Sequence, residues 1–131
     1  MTTSVKAHMS GDPVAVSAET LAADAWRLMA ERRIRHLAVV DAGRRVVGVL
    51  SRGDLAHLPL GRKLVRELMT ADPETVREGT PLAEAADLLA DRRIGCLPVV
   101  DESGRLAGLL SETDVLRALA TLLSTGHVRD G

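Results

Sequence analysis

The chain contains itself twice. Shifted by 60 positions, residues 5–55 fall on residues 65–115 without a gap, and 22 of the 51 aligned pairs are identical. This duplication constrains the fold more than any motif, because a topology open to one copy must be open to both. A unit of about 50 residues with one apolar sheet face is marginal alone. The copies are therefore expected to bury those faces against each other about a pseudo-twofold axis. Only residues 57–63, with Pro59 and Gly61, lie between them, too short a joint for two independent bodies. The division predicted is residues 1–60 for the first repeat and 61–131 for the second, together one compact module.

Each copy reads the same way. Asp12-Pro13 and Asp72-Pro73 start turns, since the residue before proline is pushed out of helical geometry. Short strands follow at Ala15-Val16 and Thr75-Val76. Thr20 and Thr80 stand where an N-cap is wanted, with Pro81 in the first helical position. Leu21, Ala25, Leu28, Met29 and Arg32, then Leu82, Ala85, Ala86 and Leu89, recur at helical spacing. The runs 37–40 and 97–100 read as buried strands, and turns around Gly43 and Ser103-Gly104 lead into strands 46–50 and 106–110. Ser51 and Ser111 open a last helix, whose apolar positions in the second copy are Val115, Leu116, Leu119, Ala120 and Leu123. The predicted class is mixed α/β (α+β), in the order β-α-β-β-α twice. Met9, Met29 and Met69 are expected as core filler, Trp26 as packing or a dimer contact, and residues 126–131 as a loose tail.

Charge and rings narrow the function. Seventeen Lys+Arg against 18 Asp+Glu give a net charge of −1, no field for gathering nucleic-acid polymer or anionic membrane. One Trp with no Tyr or Phe leaves no platform for stacking bases along a strand. His8, His36, His57, His127 and Cys96 show no metal-ligand spacing, and no nucleophile with a base at hand emerges, so no enzyme is expected. The lone cysteine excludes an internal disulfide and fits a reducing compartment. The polar start and the lack of an apolar run of roughly 18 residues argue against a signal peptide or a membrane span, and a cytoplasmic protein is expected.

The pattern Gly-apolar-apolar-Ser-x-x-Asp stands at 48–54 and again at 108–114. Physically it suits two roles. It is a capping box, serine serving the backbone and the acid reaching back. It is also a ribose-phosphate reader: glycine lets a ligand approach the strand, the helix N-terminus offers N–H groups to an anion, and the carboxylate accepts hydrogens from a vicinal diol. The two roles are compatible in one motif.

Together with the segments 34–41 and 94–101, and Met-Ser or Met-Thr ahead of Asp-Pro, this pattern resembles a tandem pair of CBS domains, the modules named after cystathionine β-synthase and also called Bateman modules. The resemblance covers residues 5 to about 120, with no catalytic, channel or helix-turn-helix segment left over, like a stand-alone CBS protein. It implies a non-enzymatic regulatory module that takes adenine nucleotides (AMP, ADP, ATP), in some members S-adenosylmethionine or NAD, and forms homodimers that act on a regulated protein. By the resemblance, Asp54 and Asp114 contact ribose and Ser51 and Ser111 lie by the phosphate, with Thr113 beside them. The base pocket falls on residues 14–16, 74–76, 36–38 and 96–98, hence Ala15, Val16, Thr75, Val76, His36, Cys96 and Pro98. Ala38 departs from the usual proline.

The copies differ in charge. Residues 31–52 carry six Arg against two acids, and residues 91–112 carry three Arg against four. The expectation is that Arg35, His36 or Arg52 gathers phosphates at the Asp54 site, which then prefers the more highly charged nucleotide. The competing expectation is an interaction or dimerisation module with degenerate, empty pockets.

Overall fold

Two antiparallel hairpins of apolar, β-branched sequence form the centre of the molecule. The computed structural model describes residues 2–127. In the first repeat β2 (His36–Val40) pairs with β3 (Val46–Ser51), and in the second β5 (Cys96–Val100) pairs with β6 (Leu106–Ser111). The registers correspond, His36 opposite Ser51 and Cys96 opposite Ser111. Asp41 and Asp101 close the turns by accepting two backbone N–H groups each. Those from Arg105 and Ser103 hold the Asp101 carboxyl below its ordinary range.

Helices α1 (Ala22–Arg32) and α4 (Leu82–Arg92) cover the outer sheet faces, burying Ala22, Ala25 and Met29 in one and Leu82, Ala85 and Leu89 in the other. Their starts differ from expectation by one residue. Leu21 and Pro81, in extended backbone, take the capping position and supply the first carbonyls, so Pro81 is not the first helical residue. Neither threonine caps: the Thr20 hydroxyl meets that of Ser17, and the Thr80 hydroxyl accepts the Arg77 N–H. Each helix ends on an arginine in the left-handed region, Arg33 (φ 55°) and Arg93 (φ 53°), where glycine is the usual choice.

The largest departure from two self-contained repeats lies in their leading segments, each of which packs on the other copy. Val5, in a short 3-10 turn (Val5–Ala7), is buried with Leu82, Ala85, Leu97 and Leu110 of the second repeat, its N–H bonded to Thr80 O. Correspondingly, Val65 of α3 (Val65–Leu68) is buried with Ala22, Leu37 and Leu50 of the first, its N–H bonded to Thr20 O. The same exchange adds one edge to each sheet, and the other edge comes from the same repeat. β1 (Ala15–Val16) runs parallel to β2, β4 (Thr70–Ala71) adds to β3, and the order is β1-β2-β3-β4. In the second sheet single bridges take these places, Val76 to Val99 and Ser10 to Leu109, so the strand expected at Thr75-Val76 is only a contact at Val76.

The exchange explains the glycines of the repeated pattern. A Cβ on Gly48 would lie 2.5 Å from Met69 Sδ; one on Gly108 would lie 2.6 Å from Met9 Sδ and 2.7 Å from Ser10 O. These positions make room for the other repeat's leading methionine, not for a ligand as the pattern had implied. Between the sheets lies a third cluster of Ala38, Cys96, Leu106 and Leu109, with Ala15, Val40, Val46 and Val49 against it. The hairpin tips are tied by Leu106 N–H to Arg44 O and Val46 N–H to Gly104 O.

The last helices are unequal. α2 (Arg52–Leu55) is one turn, whereas α5 (Glu112–Thr125) runs for 14 residues to Gly126. The apolar positions of α5 divide between the core and solvent. Ala118 is buried and Val115 packs on the core, but Leu116, Leu119 and Leu123 are 62%, 46% and 77% exposed. The tail expected from 126 onward lies, past residue 127, outside the described residues. Among these no helix is long and apolar enough to cross a membrane.

Candidate functional site

Both copies of Ser-x-x-Asp are capping boxes. Ser51 N–H donates to Asp54 Oδ2 at 2.8 Å and Asp54 N–H to Ser51 Oγ at 3.2 Å; Ser111 and Asp114 repeat both bonds at the same distances. The N–H groups of Arg52 and Glu112 donate to the carbonyls of Arg35 and Gly95. In each copy, then, three of the first four N–H groups are satisfied within the protein, and α2 is too short for an appreciable dipole. The helix start is a closed cap and not the open anion site its sequence allowed. Asp54 Oδ1 has no hydrogen-bond partner among the described residues.

Beside the first cap opens a cleft of about 770 Å3 built from both repeats, within the usual size range of small-molecule sites. The first repeat contributes His36, Val49, Ser51 and Asp54; the second contributes Thr70 and residues 72–75, and the turn Arg92, Arg93, Ile94, Gly95 and Cys96. Chain topology explains the mixture: β4 lies along β3, and the turn after α4 delivers residues 92–96 beside Ser51. Gly95 stands at the close point, where a Cβ would come within 3.0 Å of His36 Nε2 and 3.1 Å of Glu112 Oε1.

Burial, then Arg35, holds the His36 imidazole below its usual pKa, against the opposing pull of Glu112, Asp54 and Asp114, so the ring is neutral at pH 7. Burial pushes the Cys96 thiol up to about 12, with Asp114 adding to the effect; it is a wall and not a nucleophile. Arg92 pairs with Glu74 at 3.3 Å. No cluster of His, Cys, Asp and Glu among the described residues is arranged to hold a metal.

Of the residues singled out in the sequence, Ser51, Asp54, His36, Thr75 and Cys96 meet in this cleft. The others stand elsewhere. Arg52 lies over the Trp26 ring, 5.2 Å from its centroid, which also accounts for Trp26 as packing. Arg35 is exposed and meets the site only through its charge on His36. Ala15 packs between the sheets, Val16 against the first core, and Val76 and Pro98 are buried. Thr113 is exposed on the first turn of α5. Ser111 serves its cap, and Asp114 faces a smaller groove of about 260 Å3 with Ala7, His8, Arg117 and Thr121. The arginines that reach the Asp54 cleft are thus Arg92 and Arg93 of the second repeat, not the surplus of the first. Their signal was the Arg-Arg-Ile identity between copies, which a solvated face explains equally well.

The family model described as the CBS domain matches twice, at residues 5–61 and 65–121. An inosine-5'-monophosphate dehydrogenase of Korarchaeum cryptofilum is 39% identical over 124 residues, covering 92% of this chain and 26% of the enzyme. The chain thus spans about a quarter of that relative. Among solved structures, the CBS domain pair of protein MJ0100 in complex with 5'-methylthioadenosine and S-adenosyl-L-methionine superposes with a TM-score of 0.86 at 27% identity, covering 92% of this chain and 98% of that one. CBSX2 in complex with AMP, a protein known from Arabidopsis thaliana, gives 0.85 at 30%, with coverages of 92% and 99%. The chain belongs to the CBS-domain family, and its two repeats form a tandem pair.

Proposed function

We propose that the chain is a non-enzymatic regulatory module that binds an adenosyl ligand in the cleft beside Asp54. The observation that carries this reading is the cavity itself, walled by both repeats with the Ser51–Asp54 motif on its lining. Asp54 Oδ1 is the acceptor for the ribose hydroxyls, while Ser51 holds the backbone that presents it. Val49, Pro73, Ile94 and Cys96 form the aliphatic wall for a base that has no ring to stack on. The complexes of the two structural neighbours, with AMP and with adenosyl sulfur compounds, support the ligand class. Because the cleft joins the repeats, a ligand that prefers one of their arrangements shifts the population of the other, and so the surface shown to a regulated protein.

A homodimer through α5 completes the proposal. Leu116, Leu119 and Leu123 recur at i, i+3 and i+7 on an exposed face, the seam expected of a helix with a partner, and a second copy supplies an identical stripe. Leu119→Glu with Leu123→Glu is expected to halve the mass seen by sedimentation. The same stripe favours the rival reading, an interaction module with no ligand.

Thermal melting separates the two. A ligand at 100 times its Kd adds about 2.7 kcal/mol, expected to raise the melting temperature by roughly 10 °C for a chain of this size. Asp54→Ala should abolish the shift and Asp114→Ala should leave it. No shift with millimolar AMP, ADP, ATP, NAD, 5'-methylthioadenosine or S-adenosylmethionine would leave the interaction module standing.

A further inference from the structure

The Asp54 cleft carries more negative than positive charge, and from this we infer that it selects adenosyl ligands with a neutral or cationic 5' substituent, a thioether or a sulfonium, over nucleoside polyphosphates. The inference rests on the reading that this cleft holds an adenosine. Its lining sets three carboxylates, Asp54, Asp72 and Glu74, against two guanidinium groups, Arg92 and Arg93. Arg92 and Glu74 are paired with each other at 3.3 Å. What faces a ligand uncompensated is therefore Asp54 and Asp72 against Arg93. His36 does not restore the balance, since it is neutral at pH 7, and of the charges that act on it from outside the lining Arg35 opposes both Glu112 and Asp114.

A site gathers phosphate with unpaired cations and open helix N–H groups. Here Arg52 lies over Trp26, and three of the first four N–H groups of the α2 turn are taken by the cap and by Arg35 O. Three or four phosphate charges would enter a net negative cavity. A thioether adds none, and a sulfonium gains from the unpaired Asp72.

The test is calorimetry on the whole chain in chelator, with 5'-methylthioadenosine, S-adenosylmethionine, AMP and ATP at low and at high salt. The two sulfur compounds are expected to bind at least about tenfold tighter than ATP at low salt, the gap closing as salt screens the cleft. Asp72→Asn combined with Glu74→Gln should shrink the gap severalfold, tightening ATP by more than it changes 5'-methylthioadenosine. Both positions lie at the surface, and asparagine accepts the positive φ of residue 72 (47°); an unchanged melting temperature confirms that the variant folds. ATP binding as tightly as the sulfur compounds, or a gap indifferent to the double substitution, overturns the inference alone. Failure of all four ligands to bind overturns the adenosyl reading and this inference with it.

Discussion

Locally, residues 51–54 and 111–114 are one object made twice, with the same cap bonds at the same lengths. One borders a cleft of about 770 Å3 and the other a groove of about 260 Å3. Nothing inside the motif accounts for the difference. It arises partly from the helices that follow, since Arg117, Ala118 and Thr121 of the longer α5 line the groove at Asp114 while α2 stops at Leu55, and partly across the repeat boundary, where the cleft beside Asp54 is bounded by Gly95 and the corresponding residue of the first repeat is Arg35; likewise His36 corresponds to Cys96. The pair teaches that a repeated cap is first a way to start a helix, and that what packs around it decides the cavity beside it.

Giving position 95 the residue of its counterpart, Arg35, should have the largest effect. Gly95→Arg places a side chain where even a Cβ comes within 3.0 Å of His36 Nε2, and is expected to weaken adenosyl ligands at least about a hundredfold by calorimetry, about 2.7 kcal/mol. The glycines of the two strands sharpen the comparison next. Alanine at either should cost about 1–3 kcal/mol in urea unfolding. Gly108→Ala should cost the more, because it presses on the Ser10 carbonyl at 2.7 Å, whereas the sharpest contact of Gly48→Ala is the movable end of Met69.

The helix ends offer a smaller contrast. Arg33 and Arg93 share a left-handed backbone, so glycine at either should stabilise by about 1 kcal/mol. Only Arg93→Gly should also alter ligand affinity, since only Arg93 lines the cleft. Such a gain in stability with a change in binding marks a residue kept for function.

The smallest effect is on pH. His36 titrates below 6.5 in the folded chain, so as pH falls through 6.5 the unfolded chain takes up a proton that the folded one does not, and stability drops until the folded pKa is reached. His36→Cys, the residue of the second repeat, should lower the melting temperature less than wild type does between pH 7.5 and 5.5.

Much of this was legible in the sequence where the physics is local. The hairpins follow from runs of valine and leucine closed by Asp41 and Asp101, the caps from Ser-x-x-Asp, and the helices from three- and four-residue spacing. Ser51, Asp54, His36, Thr75 and Cys96, which line the cleft, were picked out through the resemblance of the repeated motifs and not through local physics alone. Arg92, Arg93 and Asp72 were not, since an arginine on a solvated helix end and one in a cleft have the same sequence. The lengths of the last helices were not legible from their shared cap: α2 stops after Leu55, with Pro59 and Gly61 close behind, while α5 runs on to Thr125. The leucines of α5 were legible as apolar positions, but helical spacing does not say what those positions meet.

By itself, then, the sequence determined a duplicated unit, its elements and its caps, since each depends on residues only a few positions apart. The tertiary structure decided that the leading segments exchange, that Gly48 and Gly108 yield to methionines some 20 and 100 positions away, and that the cleft takes its arginines from the other repeat. Those outcomes depend on contacts between segments far apart in the chain, and two nearly equal copies offer every segment two similar places to pack. The packed whole alone selects between them.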